Sequence, residues 1–334
     1  MRKKKYRISF AIGIGLSALF LWLALRGTNF ADIGHALARA QPLYVLPLLA
    51  ALAFFFWFKA VRIRLLLAPM RRLRAQSIFP AMMVGFAGNN LLPARLGDLV
   101  RVYLLGRRHK LSKTSILATM VIERLFDLLV ALGLLALVVV ATRVPEGLVK
   151  PGYFIGGMEL GLLTMTVAIT LWTSLFVTTF RWATSFLPTP LHARVVQHVE
   201  LGAAGLDALK QPNLLFGVVT TSAAQSVLKA AAMYIGVLAL GIDAPLSAAF
   251  VLLALSIAAQ TLPSSPGFFG TIQLCYVLAL RPYGVDAADA FAASIFYHLV
   301  EYVSVTITGL YFLKRMGSRP TELRHAAELT NEET

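Results

Sequence analysis

The stretches Asn89-Asn90-Leu91-Leu92-Pro93-Ala94-Arg95-Leu96-Gly97-Asp98 and Gln260-Thr261-Leu262-Pro263-Ser264-Ser265-Pro266-Gly267-Phe268-Phe269-Gly270 decide how this chain folds. Each interrupts a long apolar run with Pro, Gly and polar side chains. Helix-breaking backbone at membrane depth is tolerated only where protein buries it or a watery cavity solvates it. Two such breaks, in matching places of two halves, point to a substrate path rather than an anchor.

The surrounding composition is that of a polytopic membrane protein. The 334 residues are 58% hydrophobic and only 14% charged, with a mean hydropathy of +0.73. A soluble domain of this length does not read so. Lys plus Arg outnumber Asp plus Glu by 31 to 16. The basic residues cluster in particular loops, so the positive-inside rule accounts for them without a nucleic-acid partner. The single cysteine, Cys275, rules out an internal disulfide framework and a cysteine metal cluster.

Spanning runs are expected at Ile8–Leu25, Tyr44–Leu67, Ser115–Ala141, Tyr153–Phe180, Leu214–Leu240 and Ala288–Leu313, each near or above the ~20 residues that cross a bilayer. The first is read as a retained helix, because no small-residue cleavage site follows it. Ile78–Leu105 and Leu246–Leu280 are apolar but broken, and each is drawn as a re-entrant hairpin. Basic clusters at residues 2–7, 62–74, 101–113 and 314–319 place both termini in the cytoplasm. The order of two spans, a hairpin and a span then occurs twice, starting from opposite faces. The expected fold is an all-α polytopic membrane protein with about six spans and two re-entrant hairpins, forming one domain over 1–316. It contains inverted repeats at about 8–141 and 153–313. Leu191–Gln211 reads as an amphipathic surface helix, Lys59 as a snorkelling cation, and 317–334 as a polar cytoplasmic tail.

The polar residues gather around the breaks. Pro93 and Gly97 shape the first hairpin, where Asn89, Asn90, Arg95, Asp98 and Arg101 either fix its tip or hold a ligand. Arginine suits a phosphate because its fork of N–H groups matches the anion bidentately. In the third span, Glu123 and Asp127 lie four apart on one helical face beside Arg124. Charges within a span are costly, and they face a cavity or one another. His298 and Glu301 occupy the equivalent place in the last span. Lys229, four residues after Gln225, is placed to reach a headgroup or a cavity carboxylate. Pro263, Ser264, Ser265, Pro266, Gly267 and Gly270 shape the second hairpin, whose amides suit an anion, and Gln273 follows. No metal site is expected from His298 and Glu301 alone, and no cofactor fingerprint or catalytic triad is found.

These motifs resemble the flippase-like membrane domain of the lysylphosphatidylglycerol synthase family. The first pattern is carried by Asn89 or Asn90, Pro93, Arg95, Gly97, Asp98 and Arg101. The second is carried by Leu262, Pro263, Pro266, Gly267 and Gly270, and Glu123-Arg124-x-x-Asp127 looks like the family's as well. The chain departs from the pattern at three places. Phe268 replaces a glycine, Gln273 stands where an acid is usual, and His298 stands near an expected arginine. The resemblance implies lipid translocation without the soluble aminoacyl-transferase domain. The expected function is therefore a transporter moving an anionic phospholipid or polyprenyl-linked lipid between leaflets of a bacterial-type inner membrane. The expected partner is a lipid headgroup, with a homodimer or a lipid-synthesis enzyme as possible protein partners. The alternatives are an intramembrane transferase and a non-catalytic subunit of a lipid-synthesis complex.

Overall fold

The computed structural model describes residues 2–92, 95–141, 172–184, 210–260 and 265–317, with a few single positions between 157 and 196. Among them there are helices and no strands: α1 Arg2–Leu25, α2 Phe30–Ala38, α3 Val45–Leu67, α4 Ala75–Leu91, α5 Leu96–His109, α6 Lys113–Ala141, α7 Thr173–Ala183, α8 Pro212–Leu238, α9 Ser247–Ala259, α10 Thr271–Leu280 and α11 Ala287–Arg315. The expected fourth span lies mostly outside the described residues, as do the surface helix at 191–211 and the tail beyond 317. Pro93, Pro263 and Ser264 lie outside them too.

By length and composition, Pro42–Leu67, Pro212–Leu238 and Ala287–Arg315 can cross a membrane. The bent pair Gly13–Leu25 and Phe30–Ala38 adds a fourth if counted as one span. Helix α6 is also 29 residues long, but it carries Glu123, Arg124 and Asp127. Helix α2 is absent from the sequence reading. It arises because Gly27 takes φ 82°, turning the chain by 81° after α1, and the Asn29 side chain then accepts the Ala31 N–H at 3.1 Å to cap a new helix.

Local sequence explains both breaks. Leu92 is extended at φ −106°, ψ 145°, as steric contact with a following proline requires, and this ends α4. Arg95 then takes the left-handed conformation, φ 55°, immediately before α5. In the second break Ser265 is extended before Pro266, and Gly267, Phe268 and Gly270 all have positive φ. Gln273 Oε1 accepts the Gly270 N–H at 2.7 Å and so caps α10.

The helices on either side of the first break fold back on each other. A methyl group on Gly97 would lie 2.0 Å from the Gly85 carbonyl oxygen and 2.3 Å from the Asn89 nitrogen. A methyl group on Gly309 of α11 would lie as close to α4, 2.3 Å from Ala87 Cβ and 2.6 Å from the Met83 carbonyl oxygen. Small residues let backbones approach at these crossings, where lipid supplies no hydrophobic drive. The helix contacts come in matched pairs. Helix α4 packs on α11 as α9 packs on α6; α3 on α4 as α8 on α9; α5 on α6 as α10 on α11. Helices α3 and α8 pack on each other at the centre.

Replacing Gly97 by alanine is expected to lower stability by about 1–3 kcal/mol through overpacking. Gly34→Ala, with nothing within 4 Å of the added carbon, should cost nothing. Thermal unfolding of the two variants in detergent checks this, and equal midpoints would disprove the close packing.

Candidate functional site

The two breaks meet. The Arg95 guanidinium lies 5.2 Å from the centre of the Phe268 ring, so the tip of one break stacks on the tip of the other. Beside this contact, among the described residues, is a cavity of about 520 Å³. Its walls come from α3, α4, α6, α8, α9, α10 and α11, with Phe55, Phe86, Leu125, Met233 and Ile257 on the apolar side.

Most residues read as candidates from the sequence come to this cavity. Asn89, Asn90, Arg95, Arg124, Asp127, Lys229, Gly267, His298 and Glu301 all line it. Asp98 stands behind the wall. It is held by Asn89, whose Nδ2 donates to Asp98 Oδ1 at 2.9 Å while its Oδ1 accepts the Asp98 N–H at 3.2 Å. Asp98 also lies 3.5 Å from Arg124. Arg101 and Glu123 pair with each other, both buried, away from the cavity lining. Ser265 does not line the cavity. Its N–H donates to Ser17 Oγ of α1 at 2.9 Å, tying the first helix to the second break. Asn90 Nδ2 donates to Thr306 Oγ1 at 3.0 Å, tying the first break to α11.

Lys59 corrects the sequence reading. It does not snorkel; it is 6% exposed, and its Nζ lies 3.2 Å from Asp127 Oδ2. Arg62, counted as a cytoplasmic loop charge, is wholly buried, 2.7 Å from Asp127 Oδ1 and 3.0 Å from Ser222 Oγ. Both sit on α3 facing α6 and α8. A helical-face reading offered a signal: Phe55, Lys59 and Arg62 follow at spacings of four and three. Glu301 is paired with Lys229. Phe55 stands between the two centres, with Lys59 Nζ 5.6 Å and Lys229 Nζ 5.3 Å from its ring.

The three departures from the family pattern lie next to these contacts. Gln273 gives its oxygen to Gly270, so its amide nitrogen donates to His298 Nδ1 at 3.2 Å. His298 Nε2 then donates to the Gly267 carbonyl at 2.8 Å. This pattern fixes a neutral imidazole with its proton on Nε2, since Nδ1 must accept. Phe269 packs on the His298 ring at 4.7 Å, and neighbouring Phe268 holds Arg95.

Lys59, Arg62, Arg95, Arg101, Arg124 and Lys229 supply more positive charge around the breaks than Asp98, Glu123, Asp127 and Glu301 can balance. Lys59 and Arg62 share one carboxylate. Arg95 Nη2 is buried without a hydrogen-bond partner among the described residues. Such a site favours an anion, because an unmatched buried donor is costly until an acceptor arrives.

Relatives carry similar sequences. The chain is 24% identical to the glycosyltransferase AglD of Haloferax volcanii over 98% of its own length, but spans only 58% of that protein. It is 24% identical to a UPF0104 membrane protein of Methanothermobacter thermautotrophicus, covering 95% of this chain and 98% of that one. A UPF0104 membrane protein of Methanocaldococcus jannaschii is 26% identical, over 66% of this chain and 90% of its own. The family described as the lysylphosphatidylglycerol synthase TM region matches residues 10–309, and this integral membrane protein belongs to that family.

Proposed function

We propose that this protein moves an anionic, phosphate-bearing lipid between leaflets, with the headgroup passing through the cavity at the two breaks and the acyl chains left in the bilayer. One observation carries the reading: a cavity of about 520 Å³ in which, among the described residues, cations exceed carboxylates and Arg95 Nη2 has no hydrogen-bond partner. Arg95 and Arg124 contact the phosphate, while Arg101 is committed to Glu123. Lys229 and Lys59 hold the negative headgroup electrostatically. The apolar walls admit the glycerol end of the lipid.

The paired helix contacts support an internal repeat, and the placement of basic residues favours an inverted one whose broken segments enter from opposite faces. In that arrangement the cavity is reached from either side by rocking one half against the other. A second reading, an intramembrane transferase using Asp127 or Glu301 as base, is favoured by the glycosyltransferase name of one relative. In that case, substituting these carboxylates abolishes a product in lipid extracts rather than its distribution between leaflets.

Two tests follow. In proteoliposomes carrying fluorescent phosphatidylglycerol or a lipid-linked sugar phosphate, Arg95→Lys should slow leaflet exchange about tenfold, the value of one charge-assisted bond, with the thermal midpoint little changed. Wild-type protein that accelerates neither lipid disproves the reading. Glu301→Gln strands Lys229 and should cost about 1–3 kcal/mol of stability, as leaving a partly buried donor without its acceptor does. Lys229→Met combined with Glu301→Gln should recover stability but not exchange. Recovery of both would make the pair purely structural.

A further inference from the structure

We propose that a second anion site, separate from the central cavity, lies where the ends of α5 and α11 converge, and that it takes the phosphate of an anionic lipid headgroup. Arg107 and Arg108 close α5, and Arg315 closes α11. All three line one cleft of about 910 Å³. Among the described residues no carboxylate lines it, and none of the three arginines forms an ion pair. Arg107 donates to Tyr103 OH at 3.4 Å, a neutral partner on its own helix.

Basic residues in a last turn complement the helix dipole, which accounts for one or two at each end. It does not account for cations of two different helices facing one space. Like charges so placed repel, and a bound anion relieves that repulsion. Guanidinium groups suit phosphate because each offers two parallel N–H bonds.

The rest of the cleft selects the source of the phosphate. Leu104, Phe312 and Met316 line it beside the arginines, so a polar anion and an apolar stem are received together. Gln76 and Pro80 of α4 complete the wall. Helix ends with basic pockets between them are where anionic headgroups bind at a membrane surface. The site is independent of the central cavity. It shares no lining residue with that cavity, and along α11 Arg315 lies about 21 Å beyond Glu301 at a helical rise of ~1.5 Å per residue.

The test is native mass spectrometry of the detergent-purified protein with dioleoyl phosphatidylglycerol and dioleoyl phosphatidylcholine, comparing wild type with R107Q/R108Q/R315Q. These three side chains are exposed and are not needed for packing. The triple variant should carry one fewer phosphatidylglycerol than wild type, whether or not the central cavity also holds one, and R315Q alone should weaken that adduct about tenfold. R95Q should keep it, which separates this site from the transport reading. Equal phosphatidylglycerol counts in wild type and the triple variant overturn the proposal. Stabilisation of wild type but not of the triple variant by inorganic phosphate, with equal lipid counts, overturns the lipid and leaves soluble phosphate as the ligand.

Discussion

A helix that stops inside a protein leaves amide and carbonyl groups that must find partners. The rest of this structure is arranged around that cost. The Asn89 side chain exchanges hydrogen bonds with Asp98 across the first break. In the second, Gln273 caps Gly270, and His298 binds the Gly267 carbonyl. Asn90 reaches α11 and Ser265 reaches α1, so each break is satisfied by helices distant in sequence. Having been brought together for backbone reasons, the two tips then enclose polar space that a purely helical bundle would fill with side chains.

Charge follows from the same arrangement. A carboxylate buried among helices needs a partner, and α6 and α11 supply carboxylates that α3, α5 and α8 match with Lys59, Arg62, Arg101 and Lys229. The matching is deliberately incomplete only in a physical sense: two cations share Asp127, and Arg95 rests on an aromatic ring instead of an acid. The surplus lies where the lining is also aromatic and apolar, a combination suited to an amphiphile.

The positions of most long helices were legible from hydropathy, because apolar runs of that length have few alternatives in water or lipid. So were the breaks, from Pro and Gly. Glu123 and Asp127, read as one cluster, part company: Glu123 takes Arg101 outside the cavity lining, while Asp127 lines the cavity and pairs with Lys59 and Arg62. The elbow between α1 and α2 was not legible, since it rests on one glycine conformation and one asparagine cap. Lys59 and Arg62 were misread because a charge near the end of an apolar run looks the same whether it turns to water or inward. Only the positions of α6 and α8 decide, and those are long-range facts. Likewise Gln273 and His298 look like losses in a one-dimensional motif, yet in space they hydrogen-bond to each other.

Irregular segments in membrane helices are commonly treated as hinges. Here the glycines say otherwise. At Gly97, Gly270 and Gly309 a single added carbon would fall within 2.3 Å of neighbouring atoms, so backbone bears on its neighbours with no slack. At Gly27 and Gly34, around the α1–α2 elbow, nothing lies within 4 Å. Mechanically, the broken segments are the clamps of this molecule, while the elbow, outside the cavity, carries no such crowding.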